Sequence, residues 1–293
     1  MFWLGLLTAY CVCCSFVLIE DEYFITEEHR DTKLFSYQNL LRRGVRIALR
    51  SKVNDSLITG LRVVDCLLPV GLGQRQLLLG DRYTGKTTVF MSVLLYLAST
   101  SSFTVDGFGT RRILGIYVGI GQSLSKLLIV LYRLINISFV SLFIGTHSAS
   151  SSLLSFMIPL IGISIGERLR DRGNHIVLCF DDLSKHSKSY RQISLVLAKI
   201  PSRDAFPSDI FNIHSSLLER CGKIAINIGG CSITAFPIIE TVASDITEYI
   251  ATNVISITDG QLYTNKQLFL DTIRPAIDSS LSVSRIGSNA QCK

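Results

Sequence analysis

The chain has 293 residues, 48% of them hydrophobic and only 18% charged, with a mean hydropathy of +0.39 and a formal net charge of +6. That length supports one large domain or two modest ones with an ample core. The apolar content is high for a free cytosolic protein and points to a partly buried subunit or an organelle-encoded chain, and the absence of a dense Lys/Arg block argues against a nucleic-acid or membrane face.

The first nineteen residues, "MFWLGLLTAYCVCCSFVLI", carry no charge. Their length approaches a membrane span, but Thr8, Tyr10, Ser15 and three cysteines weaken that reading. No Lys or Arg precedes the apolar run and no clear cleavage site follows, which argues against a signal peptide, and no Arg-rich presequence is present. A buried strand or helix packed on the body or on a neighbour is the expectation. Cys11 and Cys14 form a C-x-x-C with no second pair or nearby His, so no metal or redox role is assigned; the eight scattered cysteines fit a reducing compartment. Residues 1–56 as a whole have mixed charge and no βα rhythm, and close on the basic stretch "LRRGVRIALRSK".

From residue 57 to 293 short β-rich runs alternate with amphipathic stretches. Strands are expected over 75–80, 111–120, 138–145, 175–180, 233–240, 253–258 and 280–285, and helices over 86–98, 122–135, 151–172, 184–199 and 209–222. Apolar strands flanked by helices imply an α/β fold, a mostly parallel sheet with helices on both faces. Such sheets bind ligands at the carboxyl ends of their strands.

The first of these ends carries "GDRYTGKTT", residues 80–88. Gly80, Gly85, Lys86 and Thr87 satisfy the phosphate-loop pattern G-x-x-x-x-G-K-[ST], after an apolar strand and before an amphipathic helix. Backbone N–H groups along Asp81, Arg82, Tyr83, Thr84 and the helix's first turn through Thr88 can surround phosphate oxygens, aided by the helix dipole. Lys86 would reach the terminal phosphates of a nucleotide such as ATP or ADP, and the Thr87 hydroxyl would ligate Mg²⁺. A second buried run, "HIVLCFDD", ends in Asp181 and Asp182 after two intervening βα units, as in the RecA-like class of P-loop NTPases. Asp181 is the candidate for holding Mg²⁺ through its water shell, and Asp182 for capping the next helix.

With these two motifs stand "TGLRVVD", "IYVGIGQ", "DDLSKHSKSYRQISL", "DAFPSDIFNIHSSLLER", "ITAFPIIET", "TNVISITDGQLY", "IRPAI" and "SVSRIGSNAQ". In order and spacing this set resembles the alpha subunits of F-type ATP synthases, from about residue 57 onward, and "GERLRDRGNH" is closer to the mitochondrial and related bacterial versions than to the plastid one. The resemblance implies an alternating ring with catalytic beta subunits around a gamma stalk, on the matrix side of the mitochondrial inner membrane. It covers mainly the central nucleotide-binding domain. Neither a complete amino-terminal β-barrel nor the carboxy-terminal helical domain is recognised; either other chains supply those parts or the chain is a reduced or fragmentary product. Contact with the membrane is expected only through the complex.

In catalytic members of this fold a Glu polarises the attacking water, at the end of what is expected to be the strand next to the phosphate loop; "IYVGIGQ" has Gln122 there. An amide can orient water but cannot take its proton, and loss of a positioned base costs about 10²–10⁴ in rate. Arg285 matches the family's arginine finger, a cation worth about 10³–10⁵ in the catalytic site it enters. Arg274 and Pro275 match residues near the base pocket. The chain departs from the family at Tyr83, Val242 and Ala251, where Gln, Gln and Pro are usual, and in "GLGQRQ" and "AKIPSRDAF". The resemblance therefore implies a non-catalytic site that retains nucleotide and lends an arginine to a neighbour. Two alternatives are an autonomous RecA- or Rho-like nucleic-acid motor, disfavoured by Gln122 and the unpatterned charge, and a structural remnant, disfavoured by the intact loop and Asp181.

Overall fold

A computed structural model describes residues 16–18, 40, 44–99, 103–106, 109–135, 141–242 and 244–291. In chain order the strands are β1 (Phe16–Leu18), β2 (Ser56–Leu57), β3 (Val70–Gly71), β4 (Gln76–Asp81), β5 (Phe103–Asp106), β6 (Gly109–Gln122), β7 (Ser141–His147), β8 (His175–Asp181), β9 (Gly222–Lys223), β10 (Ser232–Thr241), β11 (Gly260–Thr264) and β12 (Ile277–Ser284). The α-helices are α1 (Arg62–Leu67), α2 (Lys86–Ser99), α3 (Leu124–Ile135), α4 (Ser152–Asp171), α5 (Leu183–Val196), α6 (Ile210–Glu219), α7 (Tyr249–Ile257) and α8 (Lys266–Leu270).

The main sheet runs β1-β7-β6-β8-β10-β4-β11-β12. Every neighbouring pair on that path is parallel except β11 with β12, and β5 and β9 add short antiparallel ribbons to β6 and β10. The expected α/β architecture is the one observed. Successive residues of a strand face opposite sides, so strands covered on both faces read as continuous apolar runs. In β4, Leu78 joins a cluster with Phe90, Leu94 of α2 and Leu127, Leu131 of α3. Leu77 and Leu79 join the opposite cluster, with Ile158 and Ile163 of α4, Leu183 of α5, Leu217 of α6 and Val254 of α7.

The segment 253–258, expected as a strand, is instead the end of helix α7, and the strand in this region is β11, which follows it. The β-branched run in "TNVISI" suggested extended backbone, but Ile250, Ala251 and Val254 are buried together, a helical spacing that packs on the sheet. Tertiary burial overrides local propensity here. In the amino-terminal stretch Phe16–Leu18 pairs with Phe143–Gly145 at the sheet edge; the remainder of the run over 1–19, with Cys11 and Cys14, lies outside the described residues.

Behind the sheet's functional edge, α5 and α6 are joined by a buried histidine pair. His186 Nδ1 lies 3.2 Å from His214 Nε2, and Phe156 stacks on His186 with ring centroids 5.2 Å apart. Burial pushes His186 down to about 4; burial and then the neighbouring His186 push His214 down to about 3. An imidazole harder to protonate folded than unfolded contributes stability that is complete above its unfolded value and lost as pH falls toward the folded one. Unfolding free energy should therefore decline from pH 6.5 to pH 4. In His186→Gln, denaturant titrations should show a decline smaller by at least about 1 kcal/mol across that window; a wild-type-like slope would contradict this assignment.

Candidate nucleotide-binding site

The phosphate loop leaves β4 at Gly80 and enters α2 at Lys86. Gly80 has φ +152°, and a Cβ there would lie 2.1 Å from Thr264 Oγ1 and 2.5 Å from the Thr264 carbonyl oxygen. Gly85 has φ +87°, and a Cβ there would make only an ordinary contact with Phe269 at 3.8 Å, so its backbone angle rather than crowding calls for glycine. Thr84 Oγ1 donates to the Asp81 carbonyl at 2.8 Å and lies 2.7 Å from Thr264 Oγ1, which holds the loop against β11. Lys86 is buried and its ammonium donates to the Gly80 carbonyl at 2.8 Å and to the Asp81 carbonyl. Burial lowers its pKa, although Glu240, Asp181 and Asp182 pull the other way.

Of the side chains at the loop's start, Asp81 is buried and bonded to residues 241 and 244, while Arg82 and Tyr83 are exposed. Burial would raise the Asp81 carboxyl, but hydrogen bonds from Thr241 Oγ1 at 2.7 Å and from the Ser244 N–H and hydroxyl at 2.8 and 2.9 Å hold it below the ordinary carboxylate value. Arg82 Nε donates to Glu240 Oε2 at 3.1 Å. Tyr83 has φ +64° and is 91% exposed, and Thr88 is exposed on α2. Asp81, Arg82 and Tyr83 thus offer their backbone to the loop, not their side chains.

Asp181 closes the other side of the site. It ends β8, two strands from β4 with β10 between, and its carboxylate is almost fully buried. Oδ2 accepts from Thr87 Oγ1 and from the Tyr117 hydroxyl, both at 2.7 Å, and from Lys126 Nζ at 3.2 Å; Oδ1 accepts from Gln122 Nε2 at 2.8 Å. Burial and then the Asp181 charge push the Tyr117 phenol well above its usual value, so it stays a donor. One hydroxyl and one carboxylate side by side suit Mg²⁺, which keeps most of its waters and takes its other ligands from phosphate. The set is too small to hold a metal alone: no group of three or more His, Cys, Asp or Glu ligands occurs among the described residues. Asp182, fully buried, caps α5 by accepting from the Lys185 N–H at 2.7 Å.

Gln122 ends β6, not the strand beside the phosphate loop; β8 and β10 intervene, and it reaches the site by way of Asp181. Its Nε2 donates to the Asp181 carboxylate at 2.8 Å and to the Asp181 carbonyl at 3.1 Å, and its Oε1 accepts from Lys185 at 2.8 Å and Lys126 at 3.2 Å. The amide is saturated at both ends. The strands beside β4 are β10 and β11, and β10 carries Glu240 one residue from its end, paired in register with Gly80 and engaged by Arg82. Sequence reasoning missed Tyr117, Lys126, Lys185 and Glu240. Glu240 had a signal, an acid closing the apolar run "ITAFPII"; the two lysines sit in helical first turns and read as solvated charges.

The Arg274 guanidinium lies 4.8 Å above the Phe269 ring, whose edge faces Gly85, and Pro275 follows Arg274 in the chain. Arg285 lies far from Asp181 along the sheet, immediately after edge strand β12; its N–H donates to the Asp259 carbonyl at 3.0 Å and its side chain is exposed.

Residues 60–284 match the ATP synthase alpha/beta family, nucleotide-binding domain. The chain is 43% identical over 267 residues to the mitochondrial ATP synthase subunit alpha of Dictyostelium citrinum, covering 90% of this chain and 49% of that protein. It is 41% identical over 265 residues to the ATP synthase subunit alpha of Rickettsia bellii (strain OSU 85-389), covering 90% and 51%. The chain spans about half the length of these relatives.

Because the loop closes directly on Thr264, Gly80→Ala should lose ATP binding by at least about tenfold and unfold at lower denaturant concentration, by about 1–3 kcal/mol. Equilibrium binding and urea titration would check both; wild-type behaviour would contradict the close approach.

Proposed function

The chain belongs to the ATP synthase alpha/beta family, and from that premise we propose that it is a non-catalytic alpha-type subunit of a proton-translocating F-type ATP synthase, holding Mg-ATP or Mg-ADP without turning it over. The observation that carries this reading is the Gln122 amide, bonded to Asp181, Lys126 and Lys185. Proton abstraction from water needs a basic atom at the reacting centre. The Gln122 oxygen already accepts from two ammonium groups and its nitrogen has no lone pair to offer. In this reading Lys86 and the loop N–H groups neutralise the phosphates, and Thr87 with Asp181 would hold Mg²⁺. Mg²⁺ supplies charge neutralisation across the terminal phosphates. The Arg274–Phe269 surface beside Gly85 would take the base.

Arg285, exposed past the edge of the sheet, is proposed as the cation that the chain lends to a beta subunit's catalytic site. The partners are then beta subunits in an alternating ring and a gamma stalk, around a chain read as a divergent segment 1–56 and a nucleotide-binding domain 57–293. The location is the matrix side of the mitochondrial inner membrane, in contact with the membrane only through the complex.

Two measurements test these assignments. Purified chain mixed with Mg-ATP should bind nucleotide yet release phosphate no faster than a Lys86→Ala control, whereas turnover above that control would refute the non-catalytic reading. In the assembled enzyme Arg285→Ala should reduce ATPase activity by about 10³ or more while nucleotide remains in this chain's pocket. An unchanged rate would remove the donated-cation role.

A further inference from the structure

The Asp181 carboxylate already carries a cation supplied by the chain itself. Lys126 Nζ lies 3.2 Å from Asp181 Oδ2 and 3.5 Å from Oδ1, with Gln122 Oε1 also at 3.2 Å. The oxygen it pairs with is the one to which Thr87 donates. The lysine side chain is 36% exposed and the aspartate 2%, so the ammonium reaches in from the surface to a buried charge. Lys185 completes a second positive pole, bonded to Gln122 and 3.6 Å from Asp182 Oδ2.

In a phosphate loop of this kind a divalent cation has two electrostatic tasks: to neutralise the terminal phosphates and to relieve their repulsion by the acid across the site. Here Lys86 stands ready for the first. We infer that Lys126 performs the second, so that this pocket retains a nucleoside triphosphate with little dependence on a divalent cation. The inference rests on the nucleotide-holding reading above and deepens it. Lys126 is a positioning residue: it acts on the nucleotide through Asp181 and Gln122. The outcome for Mg²⁺ is the same whether the ammonium stays in place when nucleotide enters or must be displaced by the metal. In both cases the affinity gained from Mg²⁺ is reduced.

The test is a titration of the purified full chain with ATP, once in excess Mg²⁺ and once in excess EDTA. Wild type should show dissociation constants within about tenfold of each other. Lys126→Gln should widen that ratio by a further factor of about 10, the lower end of what an opposite charge at this range does to proton binding by a carboxylate. Lys126→Arg, which keeps the charge, should restore the narrow ratio. A ratio unchanged in Lys126→Gln, or a wild-type ratio already above about 10², would overturn the inference while leaving the nucleotide-holding reading intact. The wild-type ratio decides alone should Lys126→Gln fail to fold. Failure of wild type to bind ATP in either condition would overturn both.

Discussion

A buried carboxylate is tolerated only when its lone pairs are used, and Asp181 shows what that requirement organises. Four side chains from three other elements converge on it: Thr87 from α2, Tyr117 and Gln122 from β6, and Lys126 from α3. Each donor must come from a fixed height above the sheet, so the registers of β6 and β8 and the start of α2 are constrained together. Gly119 opposite Asp181 sets one of those registers, and the next two residues carry the chain over to Gln122. Removing the charge would leave two hydroxyls, an amide and an ammonium without their shared acceptor. The same atoms that could hold a metal against phosphate therefore also hold the sheet's working edge in shape.

Holding a triphosphate and cleaving it differ by very little chemistry. Both need the loop, the lysine and an acid for the metal; only cleavage needs a proton acceptor aimed at water. In this chain the amide at the end of β6 spends its hydrogen bonds on structure, and an ionised Glu in its place would set two carboxylates about 2.8 Å apart. Like charges so close would drive one of them to take a proton. The lysines at 126 and 185 both donate to the amide's carbonyl oxygen. The exposed Arg285 stands at the opposite limit, with nothing in the described hydrogen bonds to use its guanidinium.

Much of this was legible from residue order. The phosphate loop announces itself because glycine angles, a lysine and a hydroxyl must fall at fixed spacing, and Asp181 because a charge ending a fully apolar run has few other uses. The doubly covered strands read correctly because both of their faces are apolar. Helix α7 did not read correctly, since "NVISI" has strand-like composition and its burial partners lie on strands distant in sequence. The placement of Gln122 next to the loop failed for a related reason: strand order across a parallel sheet depends on crossovers that local pattern does not encode. Lys126 and Lys185 were invisible as site residues, because a lysine in a helix's first turn has the same appearance whether it meets water or a buried acid.

Glu240 is the carboxylate near the phosphate loop against which the reading carried by Gln122 is tested. It is the penultimate residue of β10, one of the two strands beside β4, in register with Gly80, and its carboxylate accepts from Arg82. A structure of the assembled complex with a non-hydrolysable ATP analogue in this chain's pocket tests the account most directly. The account predicts Gln122 still bonded to Asp181, Glu240 still on Arg82, and the Arg285 guanidinium turned toward the neighbouring subunit's γ-phosphate. A Glu240 carboxylate within hydrogen-bond distance of a water in line with this chain's own γ-phosphate would contradict it.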